Sequence, residues 1–304
     1  MYFYTIDGDG KSFFVILITR NIMRHRLLFL AFIPVFFMSA VLSAAKPAGL
    51  SKINVMSYNI RQGEANDGTN SWQFRYPATA MMIEDRLPDV MGVQEAYSYQ
   101  LLFITENCRE YKCVGVGRED GKAKGEHVAI LYNKNTVSLM KWGTFWLSET
   151  PDKPTKGWDA ACKRTTTWAL MKSKDSGRKF FFVNTHLDHM GAVARKEGMA
   201  LIMSEIAELN KDNLPVVLVG DFNSDVSDPA LAILDGTMKN SRKIAAKTDS
   251  CNTFNGWGKE TSSIIDHIFY SGFRSCTEYE TVTKPYGDRK FISDHYPVSA
   301  TLIF

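Results

Sequence analysis

"LPVVLVGDFNSDVSDPAL", residues 214–231, sets a short aliphatic run against an abrupt polar ending. Pro215 to Val219 is β-branched and uncharged, which reads as a buried strand. Gly220 permits a sharp turn or a close backbone approach. Asp221 and Asn223 then follow two apart, at the strand's C-terminal mouth. Asp and Asn are also common turn formers, so this stretch alone does not separate a turn from a site.

The same pattern recurs along the chain. Strands are expected at 53–60, 89–96, 127–133, 179–187, 215–221, 263–270 and 296–304. Amphipathic helices are expected at 75–87 and 194–209. Residues 148–163 read as a loop, and no linker, repeat or low-complexity tract interrupts the chain. Helices alternating with strands, with several direct strand–strand connections, predict an α/β layered sandwich with mixed sheets and not a parallel doubly wound fold. Most of these strands end on a polar group: Asn59, Glu95, His186 with Asp188, Asp221 with Asn223. Asp266 lies inside another, and Asp294 and His295 precede the last. Taken singly, a histidine at such a place is more often a satisfied core residue than a catalytic one.

The N-terminal region reads as a targeting segment. Arg24 and Arg26 precede the apolar run Leu27 to Leu42, and Ser43-Ala44-Ala45 supplies small residues for cleavage. Residues 1–22 read as an overlong start, 23–45 as a signal peptide and 46–304 as one domain, so export to the periplasm or beyond is expected. Of 36 Lys and Arg and 33 Asp and Glu, four and two lie in the first 45 residues, leaving a net charge of +1. Such a balance carries no global signal for nucleic acid or an anionic membrane. Five cysteines in an exported chain make pairing possible, and Cys108 and Cys113 are spaced for a small loop disulfide. No CxxC occurs, which disfavours zinc or thioredoxin-type chemistry. No GxSxG occurs, which disfavours a serine hydrolase of the elbow type.

The set "SYNIR" (57–61), "DVMGVQEA" (89–96), "NTHLDH" (184–189), "GDFNSD" (220–225), "IDHIF" (265–269) and "SDHYPV" (293–298) resembles the endonuclease/exonuclease/phosphatase superfamily, in that family's order. In texture it is similar to exported bacterial members near the deadenylase and nocturnin-like branch. The resemblance implies a four-layer α/β sandwich, two mixed sheets face to face with helices outside. It also implies a metal-dependent phosphoester hydrolase with Asp221, Asn223, His186, His295, Asp266 and Asn59 as catalytic residues. Glu95 and Asp294 are the expected ligands of Mg²⁺ or Mn²⁺, since hard cations take oxygen donors.

The chemistry is coherent on its own terms. Phosphoester hydrolysis needs an oriented water, neutralised phosphoryl oxygens and help for the leaving oxygen. Asp221 would activate the water, while a carboxylate partner at Asp266 would keep His295 protonated. Arg164, Arg61, Asp188 and Glu126 are candidate substrate contacts. His267 adjoins Asp266 on a strand, so it should face the other way and be structural; His127 opens a strand and stays open. A phosphodiesterase of nuclease type leads. A sugar- or inositol-phosphate monoesterase and a sphingomyelinase-like enzyme remain alternatives, and a non-catalytic domain is disfavoured because no catalytic position is eroded. A monomer without an obligate protein partner is expected.

Overall fold

The computed structural model describes residues 51–304 apart from Thr261. The expected overlong start (1–22) and signal peptide (23–45) lie outside the described residues. In chain order the strands are β1 Lys52–Asn59, β2 Val90–Ala96, β3 Tyr111–Val114, β4 His127–Asn133, β5 Val137–Trp146, β6 Thr165–Ser173, β7 Lys179–His186, β8 Val216–Asp221, β9 Lys239–Asn240, β10 Asp266–Ser271, β11 Ser275–Thr281 and β12 Val298–Ile303. The longer helices are α1 Trp72–Arg86, α2 Ser98–Asn107 and α3 Ala192–Leu209.

Two six-stranded sheets result, ordered β11-β12-β1-β2-β4-β3 and β5-β6-β7-β8-β10-β9. Each is mixed: β1 runs parallel to β2 and β7 parallel to β8, while the other pairs are antiparallel. Side chains alternate across each sheet, so one face of every central strand meets the other sheet and one meets a helix. Ile53, Val55, Phe180, Phe182, Val217, Val219 and Ile268 fill the space between the sheets. Met56, Tyr58, Met91 and Val93 pack with Met82, Ile83 and Ile104 of α1 and α2. Phe181, Val183, Val216 and Leu218 pack with Met199 and Ile202 of α3. The four-layer α/β sandwich is therefore the fold.

The space between the sheets changes character along the strands. On β1 the inward residues run Ile53, Val55, Ser57, Asn59; on β7 they run Phe180, Phe182, Asn184, His186; on β8 they run Val217, Val219, Asp221. An apolar end thus passes through a layer of hydrogen-bonded amides to a titratable end. In the middle layer Gln94 Nε2 donates to Asn184 Oδ1 (2.6 Å) and to Ser57 Oγ (3.1 Å). Asn184 Nδ2 donates to the carbonyls of Val93 (3.0 Å) and Ala129 (2.7 Å), joining the sheets. The hydrogens of both amides are thus all donated, while Gln94 Oε1 is buried without a partner.

Several sequence expectations are adjusted. α1 begins at Trp72, three residues before Arg75, because the buried Trp72 ring packs against Tyr76 and Phe103. β5 and β6 were missed: the middle of β5 is exposed, and β6 opens on three threonines rather than an apolar run. The Cys108–Cys113 disulfide is not formed, and all five cysteines are free. The two sulfurs serve separate contacts: Cys108 Sγ lies 3.9 Å from Ala80 O, and Cys113 Sγ 3.9 Å from Val114 O.

Gly92 on β2 makes the amide layer possible. A Cβ there would lie 2.5 Å from Val219 Cγ2 and 2.7 Å from Asn184 Cγ, inside the fully buried space between sheets. Gly92→Ala is therefore expected to cost about 1–3 kcal/mol by overpacking. Chemical denaturation would measure it; a midpoint equal to wild type would show that the layer has room to spare.

Candidate active site

Strand register assembles half of the site. β8 lies between β7 and β10, and the register sets His186 opposite Asp221 and Asp221 opposite Asp266. All three lie at the titratable end of the inward face, so they form one cross-strand row. His267, next to Asp266, points to the outer face as expected. Its Nε2 lies 2.9 Å from Ser224 O and its ring packs on Phe222 (centroids 5.3 Å), a structural role. His127 is structural as well: it is buried, with Nδ1 3.1 Å from Ala96 O.

The other half comes from the facing sheet. Asn59 ends β1, and the segment before β12 carries Ser293, Asp294 and His295. Glu95 reaches the site by an irregularity. Strand parity would send it outward, because Val93 faces the helices. The pairing of β2 with β4 slips between Val93 and Ala96, and Glu95 adopts φ 63°. Such a bulge re-aims a side chain, and here it turns the carboxylate into the site.

Asn59 ties the two halves together. Its Nδ2 donates to Glu95 Oε1 and to Asp221 Oδ2, both at 2.9 Å. Its Oδ1 accepts from Arg61 N (2.9 Å). Asp221 Oδ1 accepts from Asn223 N (2.9 Å), and Glu95 Oε2 from Gln62 N (3.0 Å). Asn223 Nδ2 donates to Leu187 O (2.9 Å) and faces His186 Nε2 at 3.0 Å. Its two hydrogens therefore serve Leu187 O and His186 Nε2, which assigns the neutral ring its proton on Nδ1. Burial, reinforced by Arg164 and Arg118, holds His186 well below the usual imidazole range.

His295 is the opposite case. Burial disfavours its charge, but Asp266 and Asp221 outweigh that and push it up to about 10. Its Nδ1 lies 2.9 Å from Asp266 Oδ2, which fixes the ring. Its Nε2 lies 3.7 Å from Asp221 Oδ2, and as an imidazolium it carries a proton there. Burial raises Asp221 to about 7, opposed by His295 and reinforced by Asp266. Burial also raises Asp294, with His295 opposing and Glu95 adding to the rise.

The four candidate substrate contacts are all engaged within the chain. Arg61 donates from Nε to Asp67 Oδ2 (3.0 Å) and lies 3.6 Å from Asp294 Oδ2. Glu126 receives Arg118 on both oxygens, at 2.7 and 2.9 Å. Arg164 donates from Nε to Asp188 Oδ2 (3.1 Å) and faces His189 Nδ1 at 2.9 Å. Asp188 Oδ1 accepts the backbone N–H of Ala161, Met190 and Gly191, so Asp188 organises a loop. Sequence reading missed Arg118, Asp67 and Ser293. Ser293 Oγ donates to Asn59 O (2.7 Å) and lies 3.2 Å from Asp294 Oδ1, yet it reads as an ordinary turn serine.

Glu95, Asp221 and His295 bring ligand atoms within 4.8 Å of one another. With Asp294 beside them, the donor set is oxygen-rich and its acids are crowded. That crowding fits a hard divalent cation, with Glu95 and the other carboxylates able to hold it. Cys162, Asp188 and His189 also converge, but Arg164 contacts both Asp188 and His189, so the place is already held by a cation.

Residues 56–295 match the model of the Endonuclease/Exonuclease/phosphatase family. The chain belongs to that family. A mannosyl-6-phosphatase from Bacteroides thetaiotaomicron has the same fold at 38% identity and TM-score 0.79, covering 83% of this chain and 100% of that one. An endonuclease/exonuclease/phosphatase from Bacteroides vulgatus gives 34% identity and TM-score 0.77, over 83% and 98%. The human nocturnin catalytic domain, solved with a sulfate anion, shares the fold at 17% identity and TM-score 0.65, over 83% and 94%. Members of the endonuclease/exonuclease/phosphatase family are phosphoester hydrolases, so this chain is an enzyme of that class.

Two outcomes follow for His295. In the folded protein its pKa stands at about 10, above the ordinary 6.5. The stability it lends is thus full below pH 6.5 and lost as pH rises through 10. His295→Gln should flatten the alkaline side of the melting-temperature profile between those values; a profile parallel to wild type would contradict a charged ring. Asp266→Asn should lower activity increasingly as pH rises through neutrality. In the double variant Asp266→Asn/His295→Ala the second change should then add little, since residues acting as a unit are not additive. A fully additive loss would separate Asp266 from His295.

Proposed function

We propose that the protein is an exported, Mg²⁺-dependent phosphomonoesterase acting on sugar phosphates. The observation that carries this reading is the set of arginines near the site: Arg61, Arg118 and Arg164 are each tied to a carboxylate, Asp67, Glu126 and Asp188. A nuclease holds its polyanionic substrate with unpaired cations and stacking platforms along a groove. Fixed guanidinium–carboxylate pairs instead offer donors and acceptors side by side, the complement of hydroxyl groups. The sequence-based expectation of a phosphodiesterase is set aside on this ground. Likeness to the mannosyl-6-phosphatase supports the choice. The basic, apolar and small-residue sequence of 24–45 supports export.

In the mechanism we propose, Asp221 receives the proton of the attacking water. Burial has brought its pKa to about 7, the range that suits a general base near neutral pH. Asn223 N and Asn59 Nδ2 hold the two carboxylate oxygens in place. His295, charged and braced by Asp266, donates from Nε2 to a phosphoryl oxygen. A cation held by Glu95 with Asp294 would offset phosphoryl charge and help the leaving oxygen.

Steady-state kinetics with hexose 6-phosphates, bis-p-nitrophenyl phosphate and oligonucleotides, all with Mg²⁺, test the substrate. Hexose monophosphates should give the highest kcat/KM, and preference for either diester would overturn the reading. EDTA should abolish turnover and Mg²⁺ restore it. Glu95→Gln should lower activity by roughly 10²-fold or more; a variant with wild-type metal dependence would remove Glu95 from the ligand set.

A further inference from the structure

Beside Glu95 the chain builds a surface that the phosphate chemistry does not use. Two residues past Glu95 stands Tyr97, and Tyr99 follows in the first turn of α2. Their phenol rings are near-parallel, 15° apart with centroids at 6.1 Å. Neither ring belongs to the core; Tyr99 is 45% exposed and Tyr97 half-buried. Exposed aromatic pairs cost solubility and give nothing to the core, so a contact role is the economical account.

The pair is rigidly fastened to the site. Gln100, fully buried, accepts Tyr97 N (3.0 Å) and Gly63 N (2.9 Å) on one oxygen and donates to Arg61 O (3.1 Å). One glutamine thus staples the loop after Asn59 onto the start of α2. Gly63 lets the ring approach, since a Cβ there would lie 2.2 Å from Tyr99 Oη. The same loop binds Glu95 Oε2 through Gln62 N (3.0 Å). Platform and metal-site carboxylate therefore share one loop.

Polar groups flank the rings. Ala96 pairs with His127, which sets Glu126 and its partner Arg118 across from Tyr97, and Glu64 follows Gly63, the residue against which Tyr99 Oη lies. A flat apolar face bordered by carboxylates and a guanidinium matches a pyranose ring. Its C–H face packs on an aromatic ring while its hydroxyls bond the flanking charges. A nucleotide would also stack, but Glu64 would repel its further phosphates.

We infer that Tyr97 and Tyr99, flanked by Glu64 and the Arg118–Glu126 pair, form a pyranose subsite that selects sugar phosphates over other monoesters. This inference rests on the sugar phosphatase reading above. The test is the ratio of kcat/KM for a hexose 6-phosphate to that for methyl phosphate, in the full chain with Mg²⁺. Tyr97→Ala and Tyr99→Ala should each lower the ratio by about tenfold, chiefly through KM of the hexose phosphate. Tyr97→Phe and Tyr99→Phe, which keep the ring face, should stay within about twofold. A parallel fall on both substrates, or Phe variants as damaged as Ala variants, overturns the subsite while leaving the phosphatase reading intact. Failure of that reading shows separately, in wild type, as negligible hexose phosphate turnover. A loss of dinucleotide turnover in Tyr97→Ala would then assign the platform to a nucleobase and overturn the sugar subsite too.

Discussion

One amide group holds the site together. Asn59 has two N–H bonds on Nδ2, and it spends them on Glu95 of its own sheet and Asp221 of the other, each at 2.9 Å. A cation in that position would bind both acids more strongly, but it would cancel their charge. A neutral donor fixes both carboxylates and leaves their charge available. The carbonyl oxygen of the same side chain accepts Arg61 N, and that bond shapes the loop leading to Gln62 and Gly63. Glu95, Asp221 and the loop after β1 therefore share one hinge of contacts, and a small shift of β1 would disturb all three.

That hinge is secure because the strands beneath it grade from apolar to polar. Val217 and Val219 lock β8 against the facing sheet, and the amides of Gln94 and Asn184 form the next layer. Asp221 then emerges at a fixed height beside His186 and Asp266. Two carboxylates side by side in a ladder repel. His295, lodged between them with its proton held by Asp266, makes the arrangement tolerable. The energetic order is clear. Apolar burial sets the register, the register crowds the acids, and the imidazolium relieves the crowding.

Much of this was legible in the sequence, for reasons that differ by residue. Period-two alternation separated Asp266 from His267 correctly, because β10 is regular across both. It placed Asn59, His186 and Asp221 at strand ends, because an apolar run that stops at a carboxylate or amide is visible without a structure. Glu95 was legible only through its motif; alternation alone would have turned it outward, and the bulge that re-aims it leaves no periodic trace. Arg61, Arg164, Asp188 and Glu126 were candidate substrate contacts, and their partners within the chain were not legible. Asp67 is six residues from Arg61, whereas Arg164 and Asp188 are brought together by strand pairing across 24 residues. Pairing of that kind depends on tertiary approach. The same holds for the cysteines, where closeness in sequence gave no closeness of thiols.

Backbone strain gives an independent view of which positions the site constrains. Among the described residues, seven non-glycine positions have positive φ, and three of them are Arg61, Glu95 and Asn223. For arginine and glutamate this left-handed conformation costs on the order of 1 kcal/mol or more each. Glycine would adopt it freely. A sequence shaped for stability alone would place glycine at 61 and 95, as it does at Gly68, whose φ is 59°. It keeps side chains instead. Glu95 supplies a carboxylate to Asn59 and Gln62, Arg61 reaches Asp67 and approaches Asp294, and Asn223 holds His186. The strain is tolerated at the points where the backbone leaves a strand and the chemistry begins, which is also where the two sheets stop supporting each other with apolar contact.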